Sequence, residues 1–449
     1  MPKFNEHQLS IGMSGSGKSV NATEDVIRDA DRGDTAIIIQ DPHPKSLAAG
    51  AFEQLVARGH QSRILYDRLY ELDHSLGYDF LQPSLAKDSM LRYAENDLRI
   101  RSFVDILLRR RGQQSLAGNP LTEEWVMKAL WLFVEQEPRK ILSDLHRLFI
   151  PRNKTLRSFL DDCTDPERAE PFKDLYDGSC SRGQYAPAER LISSVTTSPS
   201  FTLRCRPSFC FETFLENRGI LIMEGGQFGT LSNDALRIML GSTSLKTIEY
   251  VRNRPRPVPR ISHYMDEANN VGLIGDHECR ALAELRKNNY GCKIMVQTLD
   301  FPTSAITESV LNNTATHVWF CISSSKLAQQ GAADLGDSNM KSSLRSLGVG
   351  ECYVKTPGKC RRMKVKMSED PWVFPGLSKK KAAAALKVIR QRPEYQRRTG
   401  DDEMPSSKEG SPTTPPPSST SSTSSPADRL RTAGSQNSEK GDASDTSEM

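Results

Sequence analysis

No stretch of the sequence strings together the roughly 18 apolar residues that a bilayer-spanning helix requires, so no transmembrane segment is expected. The opening Met1-Pro2-Lys3-Phe4-Asn5 lacks the apolar core of a secretory signal, which points to a cytoplasmic protein. The nine cysteines include no Cys-x-x-Cys pair, and the eight histidines include no His-Glu-x-x-His. A disulfide framework, a structural zinc site and a metal site made by protein ligands alone are therefore not expected. Repeats at solenoid spacing are absent too. Nor is the charge strongly one-sided, the formal net charge being +4 over 449 residues. Acids outnumber bases from Asp401 onward, so the chain before that point is mildly basic.

The final stretch, 401–449, is rich in Ser, Thr and Pro, and Leu430 is its only aliphatic residue larger than alanine. Such a composition cannot bury enough apolar surface to offset ordering entropy, and a disordered tail is expected. The remaining chain is long enough for two or three domains.

Near the start, Gln8-Leu9-Ser10-Ile11 reads as a strand and Val20 to Ala30 as a helix. Between them lies Gly12-Met13-Ser14-Gly15-Ser16-Gly17-Lys18-Ser19, which satisfies G-x-x-x-x-G-K-[ST] at every defined position. Glycines there let backbone amides turn inward around phosphates. Lys18 can balance charge at the β and γ positions, and the Ser19 hydroxyl can reach Mg²⁺. ATP and Mg²⁺ are the expected ligands of residues 12–19. The bland alternative is a glycine-rich turn without a nucleotide.

The apolar run Thr35 to Asp41, a helix over Leu47–Gly59 and a strand over Ser62–Asp67 continue a strand-helix rhythm typical of an α/β core with a mostly parallel sheet. Asp41 and Asp67 close strands and so fall on the ligand-binding edge of an open sheet. Residues 96–205 switch to helical spacing, as in Trp125, Val126, Ala129, Leu130 and Phe133, and read as an inserted all-α domain. Strands return at Gly219–Glu224, at a segment ending in Met265, and at Lys293–Gln297, Thr316–Ile322, Glu351–Val354 and Met363–Met367, the last two as a hairpin around Pro357-Gly358. The resulting division is 1–95 and 206–375 for the two parts of the core, 96–205 for the insertion, 376–400 for a basic helix and 401–449 for the tail. Lys379-Lys380-Lys381 at the start of that basic helix opposes the helix dipole, so either a partner surface stabilises it or the helix begins a turn later.

A phosphate-binding loop needs an acid at the end of a neighbouring strand. Asp266-Glu267 follows Ile261 to Met265, with Asp266 as the metal-side acid and Glu267 as base or water-orienting residue. An acidic pair opening a solvated helix is the alternative. Gln297 closes the next strand and can sense the γ-phosphate or attacking water, or simply end the strand. Arg286, on an expected helix from Glu278 to Asn288, is either a solvated side chain or a cation completing a neighbouring subunit's site.

The order of these pieces resembles the HerA/FtsK superfamily of ring ATPases, and within it the conjugative coupling proteins of type IV secretion, the TraD/TraG kind. It covers most of residues 8 to 370. The matching segments are Gly12 to Ser19, Ile39-Gln40-Asp41-Pro42-His43, Asp266-Glu267, Leu285 to Gly291 leading to Gln297, and Leu347 to Val354. The resemblance implies a RecA-like core and a hexameric ring that hydrolyses ATP to move DNA. It makes Arg286 the arginine finger and Gln297 the amide after the next strand. It further implies type IV secretion channel or relaxosome proteins as partners, and a cytoplasmic location that becomes peripheral at the inner membrane through them. Coupling proteins usually carry membrane helices ahead of the loop and HerA a small β domain; neither is seen here, so either a relative without the anchor is expected or Met1 is not the natural start. Candidate DNA contacts are Arg109-Arg110-Arg111, the cations Lys359, Arg361, Arg362, Lys364 and Lys366, and the loop Gly225 to Thr230. Two other readings use the same loop: a nucleotide-gated adaptor whose tail recruits partners, and a small kinase. The kinase fits less well, because Lys18 and Asp266 are far apart in sequence.

Overall fold

The computed structural model describes residues 7–84, 86–109, 120–136, 140–163, 165–226, 231–365 and 379–396. The chain opens with β1 (Gln8–Ile11), α1 (Lys18–Asp31), β2 (Thr35–Asp41), α2 (Leu47–Ala57), β3 (Ile64–Arg68) and the short β4 (Ser75–Leu76). Helices follow: α3 (Ser89–Leu108), α4 (Pro120–Val134), α5 (Lys154–Asp161), α6 (Pro166–Asp177), α7 (Arg182–Thr196), α8 (Pro199–Arg204) and α9 (Phe211–Glu216). Alternation resumes with β5 (Ile220–Glu224), α10 (Asn233–Asn253), β6 (Arg260–Met265), α11 (Asp276–Glu284), β7 (Tyr290–Val296), α12 (Ser304–Asn313) and β8 (Thr316–Trp319). Then come α13 (Ser325–Leu335), α14 (Met340–Arg345), β9 (Glu351–Thr356), β10 (Lys359–Lys364), α15 (Lys379–Ile389) and β11 (Tyr395–Gln396).

Nine strands form one sheet in the order β10-β9-β8-β1-β7-β6-β2-β5-β3. From β8 to β3 every pairing is parallel, while β9 and β10 add an antiparallel hairpin at one edge. The expected mostly parallel α/β architecture is therefore observed. Every residue of β2, β5 and β6 is buried, because helices cover both faces of a parallel sheet. Register aligns Ile11 with Val296, Ile294 with Met265, Met265 with Gln40, and Asp41 with Glu224. The carboxyl ends of β1, β7, β6, β2 and β5 thus stand side by side.

Among the described residues between Ser89 and Glu216, all α and β elements are helices. They pack around an aromatic cluster in which Trp125 meets Phe172 at 5.3 Å between ring centroids and Phe149 meets Phe172 at 5.9 Å. A buried ion pair joins this region to the sheet. Arg204, at the end of α8, donates from Nε and Nη2 to the two oxygens of Asp67 on β3 at 2.9 and 2.6 Å, and both residues have no solvent exposure. Further donations to Ser200, Arg68 O and Glu71 O use up the guanidinium. Asp67, a strand-end acid that could have faced a ligand, is therefore a structural anchor. Removing the guanidinium in Arg204→Ala leaves a buried charge unpaired and is expected to cost about 3–5 kcal/mol, measured by urea denaturation. In Arg204→Met/Asp67→Leu a large part of that loss should return, since pair replacement is often near neutral.

Three local expectations change. The hairpin turns tightly at Pro357-Gly358, with Gly358 at φ +77°, and pairing starts at once with Lys359 opposite Thr356. The returning strand is accordingly Lys359–Lys364 rather than Met363–Met367. The helix expected over Glu278–Asn288 is α11 followed by a 3-10 turn, Leu285–Asn288, stopped by Asn289 in the left-handed region. Arg109 is not a surface cation: it is buried, with Glu278 at 2.9 Å and Asp105 also paired to it. Arg110, Arg111, Lys366, the segment 227–230 and the 401–449 tail lie outside the described residues.

Candidate functional site

Residues 12–19 turn from β1 into α1 at the carboxyl edge of the sheet. Gly12 has no room for a side chain, since an added Cβ would come within 2.6 Å of the Phe320 side chain. Gly17 sits at φ +107°, where an added Cβ would also approach Gly350 Cα at 3.0 Å. The Gly350 amide donates to Ser16 O at 2.9 Å, so the turn before β9 is fastened directly to the loop.

The Lys18 ammonium folds back on its own loop, donating to Gly12 O at 2.6 Å and Met13 O at 3.0 Å. Burial lowers its pKa, with Asp266 and Glu267 acting in the opposite sense. The Ser19 hydroxyl donates to Asp266 Oδ2 at 3.3 Å, and the Ser46 hydroxyl reaches the same oxygen at 3.4 Å. Burial first, and then the charge of Glu267, raise the Asp266 carboxyl above its usual range. Asp41, one strand over, is pushed up strongly by burial and then by Asp266. Its oxygens accept from the amides of His43 at 3.0 Å and Ala48 at 2.8 Å, so Asp41 shapes the turn into α2.

Glu267 occupies a left-handed backbone position at φ 47°, uncommon for a residue with a side chain. That twist turns its carboxylate toward three partners. Gln297 donates to one oxygen and Asn270 to the other, and His43 Nε2 lies 3.4 Å from Glu267 Oε2. Burial disfavours the charge, but hydrogen bonds from His43, Gln297 and Asn270 outweigh it and hold the carboxyl at about 2. His43 is raised in turn, by its bond to Glu267.

The structure thus brings Gly12, Met13, Ser14, Gly15, Ser16, Gly17, Lys18, Ser19, Asp266, Glu267 and Gln297 to one edge of the sheet. Arg286 is elsewhere. It is exposed on the 3-10 turn before β7, at the sheet's opposite edge, near His7, whose pKa is lowered first by burial and then by the Arg286 charge. The seven residues of β7 separate it from Gln297, about 23 Å at strand rise. It cannot reach phosphates held by its own loop.

These residues suit a nucleotide with Mg²⁺. Among the described residues the Lys18 ammonium hydrogen-bonds to carbonyls alone, and Ser16 Oγ is buried without a partner. Asp266 is a buried acid raised by burial and by Glu267 even with Lys18 and His43 acting the other way. Among the described residues no group of three or more His, Cys, Asp or Glu could hold a metal alone, so a cation at Ser19 and Asp266 needs phosphate oxygens.

His43, Ser46 and Asn270 belong to the site without having been singled out for it. His43 had a signal, its place directly after Asp41-Pro42. Ser46 and Asn270 had none, since only the turns after β2 and β6 bring them in.

No family model and no curated protein matches the sequence. Solved structures do. The chain is similar to the bacterial conjugative coupling protein TrwB, with a TM-score of 0.58 and 15% identity over 82% of this chain and 87% of that one. TrwB in complex with ADP and Mg²⁺ gives 0.57 and 15%, over 82% and 87% of the two chains. VirB4 of Thermoanaerobacter pseudethanolicus gives 0.53 and 15%, over 81% and 90%. The expected likeness to coupling proteins is therefore borne out in the fold. No helix among the described residues is long and apolar enough to cross a membrane.

Proposed function

We propose that this chain is an ATP-hydrolysing motor of the coupling-protein type, which closes into a ring, a hexamer by family resemblance, and moves DNA in conjugative transfer or type IV secretion. The observation that carries this reading is the convergence of Ser19 with Asp266 across 247 positions, with Glu267 and Gln297 adjoining. TrwB, whose fold it shares, has been captured with the ATP analogue ADPNP as well as with ADP and Mg²⁺.

In this reading the amides of Gly15 to Ser19 cradle the phosphates, and Lys18 leaves its two carbonyls for phosphate oxygens. Ser19 and Asp266 would hold a magnesium ion, which when bound would neutralise charge on the phosphates. Glu267, fixed by Gln297, Asn270 and His43, orients the attacking water. The exposed cations of β10, Lys359, Arg361, Arg362 and Lys364, offer contacts for DNA phosphates, although Arg362 already pairs with Glu351 at 2.9 Å. Relaxosome proteins and a type IV secretion channel are the partners that fit, placing the motor in the cytoplasm and, through them, at the inner membrane.

Lys18→Ala removes charged hydrogen bonds worth about 1.5–3 kcal/mol, roughly a 10- to 150-fold loss of ATP affinity by calorimetry. DNA-stimulated ATP turnover should disappear with it. Hydrolysis by the unaltered chain that ignores single- and double-stranded DNA alike would overturn the motor and favour a nucleotide-gated adaptor.

A further inference from the structure

A second cavity, of about 690 Å³, lies at the β3 edge of the sheet, between α2 and α15. That volume suits a small-molecule ligand. Arg68, His74, Lys379, Lys387 and Arg390 line it, against the single acid Glu53. Phe52, Ala382 and Leu386 supply an apolar wall. The P-loop contributes nothing to this lining, so the space is separate from the site at residues 12–19.

The lining carries more cations than acids. Among the described residues, Lys379, Lys387 and His74 take part in none of the ion pairs that hold the neighbouring arginines. Those arginines are tied down, Arg68 to Glu71 at 3.1 Å and Arg390 to the same carboxylate. Arg68 also pairs through Nε with Glu224 Oε2 at 3.2 Å, and both arginine Nε atoms are buried without a hydrogen bond. The first turn of α15 contains no acidic residue, and the helix dipole favours an anion at that end. Lys379 and Ala382 bring that turn into the cavity wall. An anion seated there would meet two lysines and the guanidinium groups.

We infer that this cavity is a binding site for a phosphate-bearing small molecule of nucleotide size, held by Lys379 and Lys387 on α15 and by Arg68 and Arg390 at its base. The apolar wall would receive a ring or base. This inference does not rest on the motor reading, because it uses none of the residues of the first site.

The test uses the full chain carrying Lys18→Ala, which weakens the first site. ADP and inorganic tripolyphosphate are titrated separately by calorimetry. One equivalent of ADP should bind, and adding Lys379→Glu and Lys387→Glu should weaken it at least tenfold with the melting temperature unchanged. The milder Lys379→Gln/Lys387→Gln pair should give a smaller loss in the same direction. Displacement of ADP by tripolyphosphate would assign recognition to phosphate alone, whereas ADP binding without it would assign the base as well. Absence of saturable binding by both probes, or ADP binding unaffected by the lysine changes, overturns the proposal. So does a DNA oligonucleotide that binds through these lysines while neither small probe does.

Discussion

Glu267→Gln is expected to lower ATP turnover about 10³-fold while ATP still binds, within the range lost when a positioned acid-base group is removed. The side chain is nearly isosteric, so the change tests charge. In the native site both carboxylate oxygens are occupied by donors, from Gln297 on one side and Asn270 on the other. A glutamine must turn its NH₂ toward one of those donors and lose that bond. Burial is outweighed by hydrogen bonds from His43, Gln297 and Asn270, which hold the Glu267 carboxyl at about 2. Single-turnover hydrolysis together with ATP affinity checks the prediction. Turnover within a few-fold of the native value would remove Glu267 from the chemistry.

The second large effect is expected at Arg286. If it stabilises charge in an adjoining subunit's transition state, Arg286→Ala should reduce turnover about 10³-fold, in the range for an arginine finger, with ATP binding kept. Its exposure and its distance from Gln297 within one chain make a contribution to its own site impossible. Mixing therefore gives a sharper measurement than the single variant. Arg286→Ala and Glu267→Gln proteins, each inactive alone, should regain turnover when co-assembled. Some interfaces would then pair an intact Glu267 from one copy with an intact Arg286 from the next. Normal hydrolysis by Arg286→Ala, or a mixture no better than its components, would return Arg286 to the status of a solvated surface residue.

What was legible in the sequence follows from how local each signal is. The loop at 12–19 is contiguous, and its glycines answer to backbone demands visible in the structure at Gly12 and Gly17. Asp266 and Gln297 were readable because each follows a buried strand, and parallel pairing brings the strand ends to one edge. Contacts that depend on turns were not. Asn270 meets Glu267 only because the backbone at Glu267 takes a left-handed turn, which no pattern of residue types announced. Charged residues misled for a related reason: their fate depends on partners remote in sequence. Asp67 looked like a ligand-edge acid until Arg204, 137 positions on, neutralised it. Arg109 looked like a phosphate contact until Glu278 claimed it.

The separation of Arg286 from residues 12–19 on opposite margins of one sheet restricts how copies can associate. A two-fold dimer with its strands antiparallel sets each margin against the opposite margin of the partner, and the assembly ends at two copies. A head-to-tail contact also lets the back of one molecule serve the front of the next, and it does not end at two. Repeated contacts of this type either close or continue as a filament, and closure produces a circle whose two rims are chemically different. A polymer threaded through such a circle meets one rim before the other, so direction of travel would already be written into the position of a single arginine.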